Sequence, residues 1–195
     1  MSPSPQNIAI FASGTGSNAQ KIIDHFKGSA LARIALIVTG NPKAGVLGIA
    51  GREDIPVLIL DKQAFATGEQ AIAGLKQHHI DFIVLAGFLW KLPPALVAAW
   101  PGKIINIHPA LLPKFGGAGM YGKHVFRAVH EAGETESGIT IHYVDELYDH
   151  GKVIFQQRFA ILPGDDATAI ATKTQQLEHE HFPLVIEQVL SGLED

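Results

Sequence analysis

The sequence predicts an α/β fold with a mostly parallel, Rossmann-like open sheet. Helices are expected on both faces of the sheet, and an antiparallel edge pair is expected near the C-terminus. In the first half of the chain, near-continuous apolar runs alternate with helical segments, as in parallel strands buried on both faces. After residue 136 two further strand-like runs are joined by a short acidic loop, which indicates the antiparallel pair.

The predicted elements can be placed in chain order. The parallel strands are expected at residues 7–13, 33–39, 55–61, 81–87 and 103–108. The helices between them are expected at residues 17–28, 44–53, 68–79 and 93–100. The antiparallel strands are expected at 137–144 and 152–162, and a last helix at roughly 166–190. Because 195 residues show no repeat, linker or low-complexity segment, we expect one domain over residues 1–195.

Composition and charge exclude several classes of protein. Hydrophobic residues make up 47% of the chain and charged residues 17%, which is typical of a globular rather than a disordered protein. The net charge of -4 provides no basic surface that would favour nucleic acid. The absence of cysteine excludes disulfides, cysteine–zinc sites and thiol catalysis.

The first residues, MSPSPQNIAI, lack the basic segment and apolar stretch of a secretory signal. No run of about 18 apolar residues predicts a membrane span. We therefore expect a cytoplasmic protein.

The loop SGTGSN, residues 13–18, lies between the first predicted strand and the first predicted helix. Glycines let the backbone approach a ligand closely, and the helix N-terminus offers unpaired N–H groups to an anion. The second strand ends in VTGNP, without the carboxylate that a dinucleotide site uses for ribose, and no Lys-Ser/Thr pair follows the glycines. A single phosphate monoester is therefore the ligand that fits best.

Two polar side chains interrupt the apolar run that ends at Pro109. Asn106 and His108 are two residues apart on the predicted fifth strand, so they project to the same face. They lie at the carboxyl end of the strand, where ligands of open α/β sheets bind. The pair is either a hydrogen-bonded structural feature or the beginning of an active site.

The acidic loop between the antiparallel strands follows His142 and contains Asp145, Glu146 and Asp149. Such a loop is usually a solvated turn. A carboxylate close to His108, however, would orient the imidazole and favour its charged form.

The ten histidines of the chain give no set of metal ligands. His179 and His181 are two residues apart on the predicted last helix, so their side chains diverge. His78 and His79 are adjacent and diverge as well. We assign no metal.

Five collinear stretches carry a resemblance to a known family: SGTGSN, LAGFLWKL, NIHPALLPKF, GITIHYVDELYDHG and QQLEHEHFPLV. They span about residues 7–190 and are similar to the glycinamide ribonucleotide formyltransferases, folate-dependent enzymes of de novo purine synthesis. The NIHP-x-LLP motif is shared by the wider group of 10-formyltetrahydrofolate enzymes, whereas the GSN loop is more discriminating. The resemblance implies the formyltransferase fold, and transfer of the formyl group of 10-formyltetrahydrofolate to the glycinamide amine.

The resemblance also implies roles for individual residues. Asn106, His108 and Asp149 match the catalytic residues, and an ungapped match from Gly138 to Gln156 selects Asp149 over its acidic neighbours. The implied ribonucleotide-binding residues are Gly16, Ser17, Asn18, Gln175 and Glu178. The implied folate-binding residues are Leu89, Trp90, Lys91, Leu92, Asn106, Asp145, Glu146 and Asp149.

The chemistry of formyl transfer suits these residue types. The reaction passes through a tetrahedral oxyanion, which the Asn106 amide and a protonated His108 would stabilise as hydrogen-bond donors. The amine loses a proton and the folate nitrogen gains one, a task suited to a histidine beside a carboxylate. The chain departs from the family pattern where Trp90 replaces a frequent arginine and Lys91 an apolar residue, and its glycine-rich segment 116–125 resembles a variant form.

Three other functions remain as alternatives. A methionyl-tRNA formyltransferase would carry an RNA-binding domain and more basic charge, and a formyltetrahydrofolate hydrolase would act on water. A phosphoribosyl-ligand binding protein without catalysis is the alternative from another class, and retention of all three catalytic residues argues against it. The expected partners are the two small-molecule substrates, without nucleic acid or membrane, for a monomer or homodimer.

Overall fold

The computed structural model describes residues 4–192. The strands of this part of the chain are β1 Gln6–Phe11, β2 Ala32–Thr39, β3 Val57–Ile59, β4 Phe82–Leu85, β5 Ile104–His108, β6 Glu136–Tyr143 and β7 Val153–Ala160. The helices are α1 Ser17–Phe26, α2 Val46–Arg52, α3 Lys62–Phe65, α4 Glu69–Gln77, α5 Pro94–Ala99, α6 Lys123–Glu131 and α7 Ala167–Ser191.

All seven strands belong to one sheet in the order β3-β2-β1-β4-β5-β6-β7. The pairs from β3 to β5 are parallel, whereas β6 is antiparallel to β5 and β7 is antiparallel to β6. The predicted fold class, with its antiparallel edge pair, is confirmed.

Different helices cover the two faces of the sheet. Alternate residues of each strand point to opposite faces and so pack against different helices. Ile8 and Ile10 of β1 pack in a core with residues of α1, α2 and α7. Ala9 and Phe11 pack in a second core with residues of α3, α4 and α5. The near-continuous apolar runs of the sequence reflect this burial on both sides.

Strand β3 and helix α3 differ from the sequence-based assignment. The sequence predicts one strand over 55–61, but the strand covers only Val57–Ile59, and single hydrogen bonds to β2 continue at Pro56 and Leu60. The Ile55 N–H donates to the Ala50 carbonyl at the end of α2, and the Asp61 carboxylate caps α3 by accepting from Gln63 and Ala64. Competing local hydrogen bonds therefore shorten the strand from both ends.

The strand order places a crevice at the carboxyl edge of the sheet. From β1 the chain builds outward through β2 and β3, and then β4 pairs with the other side of β1. The loops that follow β1 and β4 therefore diverge, which creates the crevice where ligands of open α/β sheets bind. Among the helices of residues 4–192, none combines the length and apolar character needed to cross a membrane.

Candidate functional site

A cavity of about 530 Å³ occupies this crevice. Its walls come from the loops after β1, β4 and β5, from the loop between β6 and β7, and from α7. Asn106, His108 and Asp149 all line it.

Asn106 is oriented by its neighbour on the antiparallel strand. The register pairs Asn106 with His142, and Asn106 Nδ2 lies 3.2 Å from His142 Nε2. His142 Nδ1 lies 2.8 Å from the Tyr143 carbonyl oxygen, to which it donates. His142 Nε2 therefore lies near both the Asn106 amide and Asp149 Oδ1, and the second N–H of the Asn106 amide has no partner among residues 4–192.

His108 lies between a carbonyl and a carboxylate. Its Nε2 is 2.8 Å from the Phe115 carbonyl oxygen, and its Nδ1 is 3.5 Å from Asp149 Oδ2. Asp149 Oδ2 also accepts the Gly117 N–H at 2.9 Å, and Asp149 Oδ1 is 3.7 Å from His142 Nε2. Both side chains of the His108–Asp149 pair are therefore held by a second group.

The combined effects of burial and neighbouring groups lower the pKa of both His108 and Asp149. Burial lowers the pKa of His108, although the Asp149 charge and the Phe115 carbonyl oppose this. Burial alone would raise the pKa of Asp149, but His142, His108 and the Gly117 N–H together lower it. Because desolvation outweighs the neighbouring carboxylate, the lowered pKa of His108 favours the neutral imidazole, whereas the sequence analysis expects a protonated one. A proton taken up at Nδ1 would form an ion pair with Asp149.

The loop after β1 joins α1 to α7. Asn18 Nδ2 donates to Glu178 Oε2 at 2.8 Å, and Gln175 Nε2 donates to Ser17 Oγ at 3.2 Å. Burial raises the pKa of Glu178, and the bond from Asn18 opposes this. The buried Asn18 Oδ1 has no hydrogen-bond partner within residues 4–192. Asn18, Gln175 and Glu178 line the cavity, whereas Gly16 and Ser17 lie outside its lining.

Gly16 has a structural reason to be glycine. Its φ is 82°, and a Cβ there would come within 2.8 Å of Val46 and Ile49 of α2. The first turn of α1 begins directly after it, so the backbone N–H groups of this turn lack partners within the helix. Such N–H donors at helix N-termini are the groups that anions bind in other proteins.

The segment after β4 forms another wall, to which all four of Leu89, Trp90, Lys91 and Leu92 contribute. The Trp90 ring lies 5.5 Å from that of Phe65 and covers Gly40, where any Cβ would collide with the indole. Trp90 therefore both packs on the core and faces the cavity. The Lys91 ammonium lies 5.5 Å from the centre of the Tyr148 ring. Among the described lining residues, Lys91 alone carries a permanent positive charge.

Of the acidic residues between β6 and β7, Asp149 is the one that reaches His108. Asp145 lines the cavity, but its carboxylate accepts the Leu147 N–H at 2.8 Å and faces His150 at 3.2 Å. Glu146 is exposed and lies outside the cavity lining.

The cavity also contains residues that the sequence analysis did not select. The glycine-rich loop contributes Met120 and Tyr121, with positive φ at Gly117 and Gly119. The glycine cluster was visible in the sequence, but its conformation was not.

Helix α7 contributes further polar side chains to the cavity. Thr168 and Thr172 line it together with Gln175, at a spacing that places the three on one face of the helix. Because Gln175 was predicted to bind substrate, the helical spacing could have predicted from the sequence that the two threonines line the same cavity. Within residues 4–192, no group of three or more His, Asp or Glu side chains has the arrangement of a metal site.

Comparison with known proteins gives consistent matches. The model of the family described as formyl transferase matches residues 6–186. Phosphoribosylglycinamide formyltransferase of Bacillus subtilis is 39% identical over 190 residues, covering 95% of this chain and 95% of that protein. The crystal structure of phosphoribosylglycinamide formyltransferase from Bacillus halodurans is similar with a TM-score of 0.88 and 38% identity, over 97% of both chains.

A longer relative matches as well. The trifunctional purine biosynthetic protein adenosine-3 of Drosophila pseudoobscura is 41% identical over 196 residues. The match covers 96% of this chain but only 14% of the length of that protein.

Proposed function

Because this chain belongs to the formyl transferase family, we propose that it transfers the formyl group of 10-formyltetrahydrofolate to the amine of 5'-phosphoribosylglycinamide. The products are formylglycinamide ribonucleotide and tetrahydrofolate, and the pathway is de novo purine biosynthesis. The observation that carries the proposal is the convergence of Asn106, His108 and Asp149 between the loop after β1 and an apolar wall of one cavity. The relative from Bacillus subtilis, which is named phosphoribosylglycinamide formyltransferase and matches over 95% of its length, supports the choice of substrate.

The site supports a simple sequence of proton movements. The substrate amine attacks the formyl carbon, and the free N–H of Asn106 donates to the oxyanion that forms. His108 takes the proton of the amine at Nδ1, and Asp149 stabilises the imidazolium. When the bond from the formyl carbon to folate N10 breaks, the proton passes from His108 to N10, so His108 returns to its neutral form.

We place the ribonucleotide phosphate at the loop of Gly16, Ser17 and Asn18. The N–H groups of the first turn of α1, which lack partners within the helix, support this position, and so does the second N–H of the Asn18 amide besides the one donated to Glu178. Gln175 and Glu178 then contact the remainder of the ribonucleotide. Their hydrogen bonds to Ser17 and Asn18 fix the loop in place before substrate arrives.

We place the folate along the opposite wall. Leu89, Trp90 and Leu92 offer apolar surface for its ring system, and Asn106, Asp145 and Asp149 complete the lining of the proposed folate site. Glu146, which is exposed outside that lining, stays a folate contact expected from the family resemblance alone. Folates carry carboxylates on their glutamyl tail. As the one permanent cation among the described lining residues, Lys91 is the group that we assign to those carboxylates.

Residues 1–195 form one formyltransferase domain in this proposal, which the single sheet of seven strands supports. Its partners are the two small-molecule substrates. A cytoplasmic location and a monomeric or homodimeric state stay predictions of the sequence.

The deciding experiment follows the absorbance change of 10-formyltetrahydrofolate with purified protein, with and without the ribonucleotide. We expect turnover that requires the ribonucleotide and yields its formylated product. Equal turnover in both conditions would identify a hydrolase, and binding without turnover would identify a non-catalytic ribonucleotide-binding protein.

A further inference from the structure

The segment that follows β5 supplies backbone partners to both members of the His108–Asp149 pair. The Phe115 carbonyl accepts from His108 Nε2, and the Gly117 N–H donates to Asp149 Oδ2. The position of this segment therefore sets the geometry of the pair. What holds the segment on the sheet consequently matters for catalysis.

Two side chains, Thr140 on β6 and Gln156 on β7, bind the first residues of that segment. Thr140 Oγ1 donates to the Ala110 carbonyl at 2.7 Å and accepts the Leu112 N–H at 3.0 Å. Gln156 Nε2 donates to Thr140 Oγ1 at 2.8 Å and to the Leu112 carbonyl at 3.0 Å.

This network leaves no freedom to its members. The Thr140 hydroxyl uses its one donor and both acceptor positions, and the Gln156 amide uses both of its N–H bonds. A flipped Gln156 amide would place its oxygen against the Leu112 carbonyl, which is an acceptor as well.

The register explains why these particular residues meet. His108 pairs with Thr140 across β5 and β6, and Thr140 pairs with Gln156 across β6 and β7. Directly opposed residues share a face of the sheet, so the three side chains form one row. Gln156 lies at the far end of this row, is exposed, and lies outside the cavity lining.

We propose that Gln156 is a positioning residue. Its amide holds residues 110–112 against Thr140 and thereby fixes the position of the Phe115 carbonyl and the Gly117 N–H, which orient His108 and Asp149. The proposal rests on the proposed function, in which His108 and Asp149 act on the substrates. Gln156 acts through residues 110–112 and touches no reacting atom.

The test compares Gln156→Leu and Gln156→Glu with the wild type. Both replacements remove the two N–H donors, and glutamate does so at nearly constant size. The matched control is Gln157→Leu, because Gln157 is the same residue type next in β7 and points to the other face. Circular dichroism and thermal melting check the fold, and since Gln156 is exposed we expect little change in either.

We expect kcat to fall about 10-fold in both Gln156 variants, with KM for both substrates nearly unchanged, because a misplaced catalytic pair is costly. A second readout is the NMR titration of the His108 imidazole in the free protein. Because the Phe115 carbonyl raises the pKa of His108, loosening that contact moves the midpoint to lower pH. Gln157→Leu should show neither effect.

A kcat close to that of the wild type, with an unmoved His108 midpoint, would overturn the inference while the proposed function stands. If the wild-type protein itself transfers no formyl group, the proposed function fails. In that case the NMR titration still decides whether Gln156 orients His108.

Discussion

His108 Nδ1 lies 3.5 Å from Asp149 Oδ2, and each of the two side chains has a backbone group as its second partner. The pair joins the end of β5 to the loop before β7, which are distant in the sequence. Because the carboxylate faces the nitrogen that would accept the substrate proton, this contact leads directly to the first prediction.

Replacing Asp149 by Asn should lower kcat by about 10²-fold or more, the usual scale for acid–base catalysis, because the neutral amide cannot stabilise an imidazolium. Asp145→Asn is the comparison, and we expect a much smaller loss of kcat because the Asp145 carboxylate bonds within its own loop and does not reach His108. Steady-state kinetics on both variants, with circular dichroism as a check of folding, gives the comparison. A larger loss in Asp145→Asn than in Asp149→Asn would contradict the assignment.

Asn18→Ala should mainly raise KM for the ribonucleotide. The substitution removes the amide that donates one N–H to Glu178 and has a second N–H for the proposed phosphate site. Gln20→Ala is a suitable control, because Gln20 is on the same helix but contacts Asp24 and Glu53. An unchanged KM in Asn18→Ala would remove the loop from the substrate site.

Trp90 should report folate binding by quenching of its fluorescence, because its ring lines the cavity. The chain has one other tryptophan, Trp100, which is buried and donates its indole N–H to the Ile80 carbonyl. Titration with a folate analogue should quench the wild type and Trp100→Phe. Quenching that survives unchanged in Trp90→Phe would count against a folate wall at Trp90.

Lys91→Met should raise KM for the folate several-fold and weaken its dependence on ionic strength, because the substitution removes the permanent cation of the cavity lining. The KM for the ribonucleotide should stay near the wild-type value. Lys62→Met, on α3 and outside the cavity lining, serves as the control. If KM for the ribonucleotide rises instead, Lys91 contacts the phosphate, and the ribonucleotide and the folate occupy the opposite walls from those proposed.

Stability should fall on mild acidification because of His108. Its pKa in the folded protein is below the ordinary value of 6.5, so the unfolded chain binds more protons in this range. The stability is fully present above pH 6.5 and is lost as the pH falls from 6.5 through the lowered pKa. Urea unfolding across this window should show a steeper loss for the wild type than for His108→Asn. Parallel slopes would show that another group is responsible.

The sequence predicted those features that repeat along the chain or that follow from side-chain chemistry. The apolar runs predicted the sheet, and the spacing of Asn106 and His108 predicted their common face, as observed. The pairing of His108 with Asp149 in particular depended on family resemblance, since nothing local distinguishes Asp149 from Asp145. The structure brings Asp149 to His108 through a positive φ of 53°.

Contacts made by the backbone could not be predicted in this way. The Phe115 carbonyl that accepts from His108 belongs to a residue with a φ of 56°, a conformation that no side-chain pattern specifies. The direction of the His108 pKa could not be predicted for a related reason. The burial of His108 depends on how the segment after β5 packs. The effect of this burial on the pKa of His108 is larger than that of the Asp149 carboxylate, which the sequence did indicate.

The indole of Trp90 rests on Gly40 so closely that this protein has no room for a Cβ at position 40. A side chain at position 40 would displace the ring as long as position 90 is a tryptophan. A relative with a smaller or more flexible residue at position 90 has room for a Cβ at position 40. Substitutions at the two sites should therefore occur as linked exchanges, and Gly40→Ala should be harmful in this protein yet tolerated once Trp90 is replaced by a smaller residue.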